Sequence, residues 1–314
     1  MSIDSRKVVV VGCGFVGSSS AFALMQSKLF SEMVLIDVDK DRAEGEAMDI
    51  SHGASFAGPM KIYAGGYEDV GDASIIVITA GANQKPNETR LDLVQKNAKI
   101  MTDVVTQIKE QEYKGILLIV SNPVDIMTQV AMEVSGFPEH RVFGSGTVLD
   151  SARLRYHLGQ HLGVDSRSVH AFVIGEHGDS EIAAWSSANV SGVPLNSFCE
   201  MRGHFNHEGN TESIEEQVKN SAYEIIAKKD ATYYGIAMVV KRICQAIVRD
   251  EKSIFPISLR MHGEYALEDV VLSMPAIVGA RGIETTIPIS LDEKEVSRLH
   301  ESAEMLRETR KEIR

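Results

Sequence analysis

The sequence predicts an α/β fold in which a doubly wound parallel β-sheet is followed by an α+β half. In the first half of the chain, short runs of β-branched residues alternate with helical patterns, which is typical of a parallel sheet flanked by helices. In the second half, longer helical patterns surround a few strand-like runs. The chain has 314 residues, about twice the length of a typical domain. We therefore expect two domains, at residues 1–146 and 147–314.

Four apolar runs in the first half have the composition of buried strands. Between them, apolar residues recur at helical spacing. The predicted strands cover residues 7–11, 33–36, 74–79 and 115–120, and the predicted helices cover residues 15–28, 39–50 and 88–109.

The second half contains four helical patterns and four strand-like runs. Because only Lys229 and Asp230 separate the two central helical patterns, a single long, bent helix is the alternative there. The last two strands are expected to pair antiparallel. The predicted helices cover residues 150–162, 214–228, 231–249 and 292–314, and the predicted strands cover residues 169–174, 183–186, 254–261 and 269–278.

Charge and composition exclude several classes of protein. A formal net charge of −12 argues against a general affinity for nucleic acid or for anionic membranes. No apolar run approaches the roughly 18 residues of a membrane span, and the N-terminal residues lack the apolar region of a signal peptide. Cys13, Cys199 and Cys244 show no paired or metal-ligand spacing. We expect a cytoplasmic protein with free thiols and no metal.

A glycine-rich turn follows the first predicted strand and opens the first predicted helix, with the pattern Gly12-x-Gly14-x-x-Gly17. The first glycine permits a tight turn, the second lets the backbone approach a pyrophosphate, and the third lets the helix pack against the strand. Asp37 ends the second strand, where a carboxylate accepts hydrogen bonds from the ribose hydroxyls of NAD and repels the 2′-phosphate of NADP. The pattern predicts a Rossmann domain that binds NAD. The alternative role of Asp37 is to cap the next helix.

A histidine between glycine and acidic residues, His177, is the candidate proton donor and acceptor. Imidazole exchanges protons near neutral pH, and a buried carboxylate beside it would fix its tautomer and stabilise its cation. Asp150 is the candidate partner, although an N-cap at the start of its helix is the alternative role. Arg153 lies one helical turn beyond Asp150, where its guanidinium could bind a substrate carboxylate.

Several ordered motifs identify a family. Over nearly its whole length, the chain resembles the L-lactate dehydrogenases of bacteria, within the wider lactate/malate dehydrogenase family. The motifs that carry the resemblance are TAGANQKP at 79–86, ETRLDLV at 88–94, SNPVD at 121–125, GSGTVLDSAR at 144–153, GEHGD at 175–179 and ATYYG at 231–235.

The resemblance implies a role for each matching residue. His177 protonates the carbonyl oxygen of pyruvate, Asp150 orients His177, and Arg153 binds the substrate carboxylate. Arg90 lies on a mobile loop that closes over the substrate and polarises its carbonyl group. Asn122, which precedes an expected cis proline bond, contacts the substrate and cofactor region, and Thr232 lines the substrate pocket. The positions that match NAD contacts are Val16, Asp37, Arg42, Tyr67, Gly81, Ala82, Val120, Asn122 and Ser145.

Within the family, Gln84 is the position that discriminates between substrates. Malate dehydrogenases carry arginine there, which meets the second carboxylate of oxaloacetate. A neutral Gln84 would leave that carboxylate buried and unpaired, at a cost of about 3–5 kcal/mol. We therefore expect reversible reduction of pyruvate to (S)-lactate, in fermentation or glycolysis. The alternatives are malate dehydrogenase and a non-catalytic NAD-binding protein. A short-chain reductase is disfavoured because no tyrosine has a lysine four residues later.

Two further positions match an allosteric site of the family. Arg155 and His170 correspond to residues that bind fructose 1,6-bisphosphate at a subunit interface of bacterial enzymes. An anionic activator there would neutralise cations brought together by symmetry. The resemblance implies a homotetramer activated by this bisphosphate. The alternatives are an exposed Arg155 and a buried, hydrogen-bonded His170.

Overall fold

A computed structural model describes residues 6–82 and 89–313 of the chain. Its strands form one nine-stranded sheet and two small sheets, of three and two strands. In chain order the strands are β1 Lys7–Val11, β2 Glu32–Ile36, β3 Lys61–Ala64, β4 Ile75–Ile78, β5 Ile116–Ile119, β6 Val142–Gly144, β7 Val169–His170, β8 Val173–Ile174, β9 Ile182–Ala183, β10 Asn189–Val190, β11 Val193–Pro194, β12 Ser253–His262, β13 Glu268–Gly279 and β14 Gly282–Thr286.

The helices pack on the sheets and on one another. In chain order they are α1 Phe15–Ser27, α2 Lys40–Ala57, α3 Arg90–Glu110, α4 Val124–Ser135, α5 Val148–Leu162, α6 Leu195–Met201, α7 His207–Lys229, α8 Tyr234–Val248 and α9 Glu293–Lys311. None of the helices in the described part of the chain is long and apolar enough to cross a membrane.

The first half forms the parallel part of the large sheet, in the order β3-β2-β1-β4-β5-β6. The strands β1 and β4 are buried along their whole length because helices cover both faces. From β1 the chain first builds one side of the sheet and then crosses to the other side. Ligands of such sheets bind at this switch point, outside the carboxyl ends of the strands. The predicted doubly wound α/β fold is confirmed.

The second half extends the same sheet with antiparallel strands. Strand β12 lies beside β6, pairing Ser258 with Gly144, and continues through β13 to β14. The predicted antiparallel pairing of the last two long strands is therefore correct. The remaining strands of this half, β7 to β11, build the two small sheets and lie between α5 and α6 in the chain.

Three expectations about the second half need correction. The predicted strand at 169–174 is two strands, because Val169–His170 pairs with β10 whereas Val173–Ile174 pairs with β9. The predicted strand at 183–186 ends at Ala183, since a 3-10 turn begins at Trp185. A single bent helix over 214–249 is also wrong, because Asp230, with a φ of 68°, ends α7 in the left-handed region.

In the first half, one helix is longer than predicted and three elements were not predicted. Helix α2 continues past Gly53 to Ala57, and the N–H of Gly58 closes it on the carbonyl of Ala54. Local sequence patterns did not indicate strand β3, helix α4 or the three-residue strand β6. Strands β3 and β6 complete the parallel part of the sheet, and α4 connects β5 to β6.

Candidate active site

The glycine turn after β1 forms an open cradle at the carboxyl edge of the sheet. Gly12 has a φ of 97°, and a Cβ atom there would lie 2.6 Å from the backbone nitrogen of Ala80. A Cβ atom at Gly17 would lie 1.8 Å from the carbonyl oxygen of Gly12, so helix α1 packs this closely only with glycine. At Gly14 a Cβ atom would meet nothing within 4 Å. The open face at Gly14 lies beside the N-terminus of α1, which fits the pyrophosphate of a dinucleotide.

Asp37 connects the end of β2 to the glycine turn. Its carboxylate accepts hydrogen bonds from the backbone N–H of Cys13, at 2.5 Å, and of Asp39, at 2.9 Å. The N-cap of α2 is Asp39, which accepts from the N–H of Arg42 at 3.1 Å. The alternative in which Asp37 caps the helix is therefore wrong. The half-buried carboxylate lies beside the cradle, at the place where a ribose diol is expected.

The other predicted cofactor residues lie in the same region. Val16 is in the first turn of α1, and Arg42 is exposed in the first turn of α2. Tyr67 follows β3, and burial, together with the charges of Asp103 and Asp37, raises the pKa of its hydroxyl to about 12. The remaining positions follow the carboxyl ends of β4, β5 and β6; these are Gly81, Ala82, Val120, Asn122 and Ser145.

Asn97, a residue that the sequence analysis missed, connects two of these segments. Its side chain is buried on α3, where Oδ1 accepts from the N–H of Ala82 at 2.8 Å and Nδ2 donates to the carbonyl of Asn122 at 3.0 Å. The Asn122–Pro123 peptide bond is cis, as expected. An amide on the buried face of a helix was the available signal for Asn97.

The catalytic candidates come together in the second half. His177 Nδ1 lies 2.6 Å from Asp150 Oδ2, and Arg153 donates from a terminal guanidinium nitrogen to Asp150 Oδ1 at 2.7 Å. The side chain of Asp150 is 3 % exposed, whereas that of His177 is 27 % exposed and can reach a substrate. Thr147 is the N-cap residue of α5, so the alternative role of Asp150 as N-cap is wrong.

Charge fixes the protonation states of this pair. Burial opposes the ionised form of Asp150, but the charges and hydrogen bonds of His177 and Arg153 lower its pKa below the usual value. Burial alone would lower the pKa of His177, but the carboxylate of Asp150 and the more distant charges of Asp125 and Glu181 raise it to about 9. His177 is therefore a cation that can donate a proton at neutral pH.

Asp125, which the sequence analysis did not assign to the catalytic cluster, holds the loop that carries His177. Its buried carboxylate accepts from the backbone N–H of His177 at 2.7 Å and from the hydroxyl of Ser258 on β12 at 2.6 Å. Burial raises the pKa of Asp125 to about 6, against the opposing effect of these hydrogen bonds. The carboxylate thus joins α4, the catalytic loop and β12. Its position in the SNPVD motif was the available signal.

Comparison with known proteins assigns the family. The lactate/malate dehydrogenase NAD binding domain matches residues 6–144, and the α/β C-terminal domain of the same family matches residues 147–314. The chain belongs to the lactate/malate dehydrogenase family. It is therefore an NAD-dependent oxidoreductase.

Curated L-lactate dehydrogenases and solved structures are similar over nearly the whole chain. An L-lactate dehydrogenase of Acetivibrio thermocellus is 49% identical over 303 residues, with 96% of both chains covered. L-lactate dehydrogenase 1 of Clostridium acetobutylicum is 48% identical over 305 residues, with 97% of both chains covered. The crystal structure of the minor L-lactate dehydrogenase of Enterococcus mundtii, in its ligands-bound form, superposes with a TM-score of 0.96 at 43% identity over 99% of both chains.

The structure places some of the family's remaining positions and not others. Thr232 lies in the short connection between α7 and α8. Gln84 and the side chain of Arg90 lie outside the described residues, although the backbone of Arg90 begins α3. Arg155 is half-buried on α5, and burial lowers its pKa, whereas His170 is exposed on β7. Both alternatives, an exposed Arg155 and a buried His170, are therefore wrong.

Proposed function

We propose that this chain is an L-lactate dehydrogenase that reduces pyruvate to (S)-lactate with NADH, and catalyses the reverse reaction with NAD. The observation that carries the proposal is the buried Asp150–His177 pair with Arg153 bound to the same carboxylate. The identity to L-lactate dehydrogenases over nearly the whole chain supports this substrate.

His177, Asp150 and Arg153 have separate roles in the reaction. Bound NADH supplies a hydride to the carbonyl carbon. The cationic imidazole of His177 donates its proton to the carbonyl oxygen as negative charge develops there. Asp150 holds Nδ1, so that Nε2 is the nitrogen that faces the substrate. Arg153 keeps further N–H donors beyond its bond to Asp150, and these bind the substrate carboxylate.

Pyruvate is favoured over oxaloacetate because Gln84 is neutral. We infer that Gln84 occupies the substrate-discriminating position of the family and that Arg90 supplies a cation to the carbonyl group. The alternative, malate dehydrogenase, is disfavoured because Gln84 offers no positive charge to the second carboxylate of oxaloacetate. Following NADH absorbance with pyruvate and with oxaloacetate tests this choice. A higher kcat/KM for oxaloacetate would overturn it, and no turnover with either would leave the non-catalytic NAD-binding protein.

Activation by fructose 1,6-bisphosphate is the second part of the proposal. Arg155 and His170 lie on α5 and β7, which pack together, and we infer that they bind a phosphate group across a subunit interface. An activator should lower the apparent KM for pyruvate at low enzyme concentration. A His170→Ala variant should lose that response and keep its basal activity. An unchanged KM in the wild-type enzyme would contradict this part alone.

We also infer a cytoplasmic homotetramer that acts in glycolysis or fermentation. Large exposed apolar side chains on α1, α2 and α8 support association, because a monomer rarely exposes a wide apolar patch. Phe22 and Met238, each about half exposed, line one groove between α1 and α8, and Phe56 on α2 is 94% exposed. Sedimentation velocity over a range of concentrations tests the assembly.

A further inference from the structure

Glu181 is a buried acid beside the catalytic pair that has no role in the reaction described above. It lies just before β9, four residues after His177, and is 5% exposed. Carboxylate oxygens of Glu181 and Asp150 and a ring nitrogen of His177 all lie within 4.8 Å of one another. Two carboxyl groups therefore flank one imidazole in a site that excludes most water.

The two carboxyl groups differ in the contacts that stabilise their charge. Asp150 is bonded to both Arg153 and His177. For Glu181 the charges of three neighbours act through space to lower its pKa: His177, Lys219 on α7 and Arg153 on α5. Burial and the charge of Asp150 raise the pKa of Glu181 to about 8. Of the two acids, Asp150 is therefore the one that stays ionised, and Glu181 is the one that titrates close to His177.

The neighbouring elements supply the rest of the local charge. Lys219 also forms an ion pair with Glu215 at 3.5 Å, so its charge is shared. Arg298 on α9 donates to the backbone carbonyl of Glu181 at 3.3 Å and is paired with Glu215. Asp125 accepts from the backbone N–H of His177 at 2.7 Å, and the charge of Glu176 acts to raise the pKa of Asp125.

We propose that Glu181 is a positioning residue that keeps His177 protonated into the alkaline range. The inference rests on the proposed function. As Glu181 loses its proton, its negative charge faces the imidazolium ring and opposes the loss of the proton from His177. The enzyme should then retain its acid for pyruvate reduction at a pH at which the Asp150–His177 pair alone would have lost it.

The test compares pH profiles of wild-type enzyme and a Glu181→Gln variant in both directions. Pyruvate reduction needs protonated His177, so its kcat/KM falls at high pH. Lactate oxidation needs neutral His177, so its kcat/KM rises with pH. We call the fall of kcat/KM for pyruvate and the rise of kcat/KM for lactate the two alkaline limbs. In the variant, the midpoints of both limbs should move to lower pH, by about half to one unit for one charge removed at this distance. At pH values about two units below the limb, pyruvate reduction should stay within about twofold of wild type.

A Glu295→Gln variant is the matched control. Glu295 is equally buried, at 4% exposed, but it bonds the N–H of Ser186 and the N-cap of α9 rather than facing His177. Its substitution should lower stability and leave both limbs in place. A Glu181→Asp variant keeps a carboxyl group and should hold both limbs closer to the wild-type positions than the Gln variant does.

Three results would overturn the inference. They are superimposable limbs in wild type and Glu181→Gln, an equal loss of rate at every pH, or limbs that move as far in Glu181→Asp as in Glu181→Gln. If Glu181→Gln does not fold, a Glu181→Ser variant takes its place, because it also removes the charge, and both limbs should again move to lower pH; limbs at the wild-type positions or a pH-independent loss of rate would overturn the inference. A wild-type enzyme without pyruvate turnover would contradict the proposed function instead.

Discussion

The cofactor edge and the catalytic cluster differ in whether backbone or side chains form them. The cofactor edge in the first half is made largely of backbone: three glycines, a helix N-terminus and the ends of parallel strands. The catalytic cluster is made of side chains, and Asp125, Asp150 and His177 come from α4, α5 and a loop beyond β8. Backbone geometry can be formed by one contiguous segment. A charged cluster needs a tertiary fold to bring its members together.

The difference predicts that the two regions fail in different ways. The cofactor edge should respond to added volume and lose binding, with little change in the pH dependence. The catalytic cluster should respond to the loss of charge and lose turnover, with little change in cofactor binding. The experiments on His177, on the pH dependence and on Gly14 each perturb one region and measure the other as a control.

The largest expected effect follows from removing the proton donor. A His177→Asn variant should lose turnover by about 10³-fold or more, because general acid catalysis and the imidazolium charge are both removed. Its affinity for NADH, measured by fluorescence titration, should stay within about twofold of wild type. Retained turnover would contradict the role of His177. A parallel loss of NADH affinity would show that the two regions are not separable.

The second largest effect is the fall of kcat/KM for pyruvate at high pH in the wild-type enzyme. The pKa of His177 is raised to about 9, so the protonated form needed for pyruvate reduction predominates below that pH. The kcat/KM for pyruvate should be flat near neutrality and then fall about tenfold per pH unit above it. NADH affinity measured over the same range should change less. A fall that begins below neutral pH would mean that Asp150 does not hold the proton on His177.

The third effect comes from Asp125, which fastens the catalytic loop to α4 and β12. In an Asp125→Ala variant the carboxylate is lost, so both the N–H of His177 and the hydroxyl of Ser258 lose their acceptor. Unfolding free energy in urea should fall by about 2–4 kcal/mol, and kcat should fall with it. A Ser258→Ala variant removes only one of the hydrogen bonds to Asp125, which also accepts from Ser273 at 3.4 Å, and should show a smaller loss. Equal losses in both variants would contradict a carboxylate that joins three elements.

The comparison also explains what the sequence could predict. The turn from Gly12 to Gly17 and the positions of β1, α1 and β2 follow from local spacing. Strand β3, Lys61–Ala64, is partly exposed at the sheet edge and lacks a continuous apolar run, so the pattern did not show it. The contact between Asp125 and Ser258 spans 133 residues, and no local pattern encodes such a separation. The residue pattern and the family motifs identified His177, Asp150 and Arg153, whereas Glu181 became visible only through its neighbours in the fold.

The smallest effect comes from a pair of alanine substitutions in one glycine turn. Gly17→Ala places a methyl group against the carbonyl of Gly12 and should lower stability by about 1–3 kcal/mol. Gly14→Ala places its methyl group in open space at a φ of −71°, which any residue adopts, and should leave thermal stability unchanged. The same methyl group occupies the face expected to receive the pyrophosphate, so Gly14→Ala should weaken NADH binding several-fold while the alkaline limb of pyruvate reduction stays in place. If Gly14→Ala binds NADH as tightly as wild type, the cradle does not hold the pyrophosphate and the backbone description of this region fails.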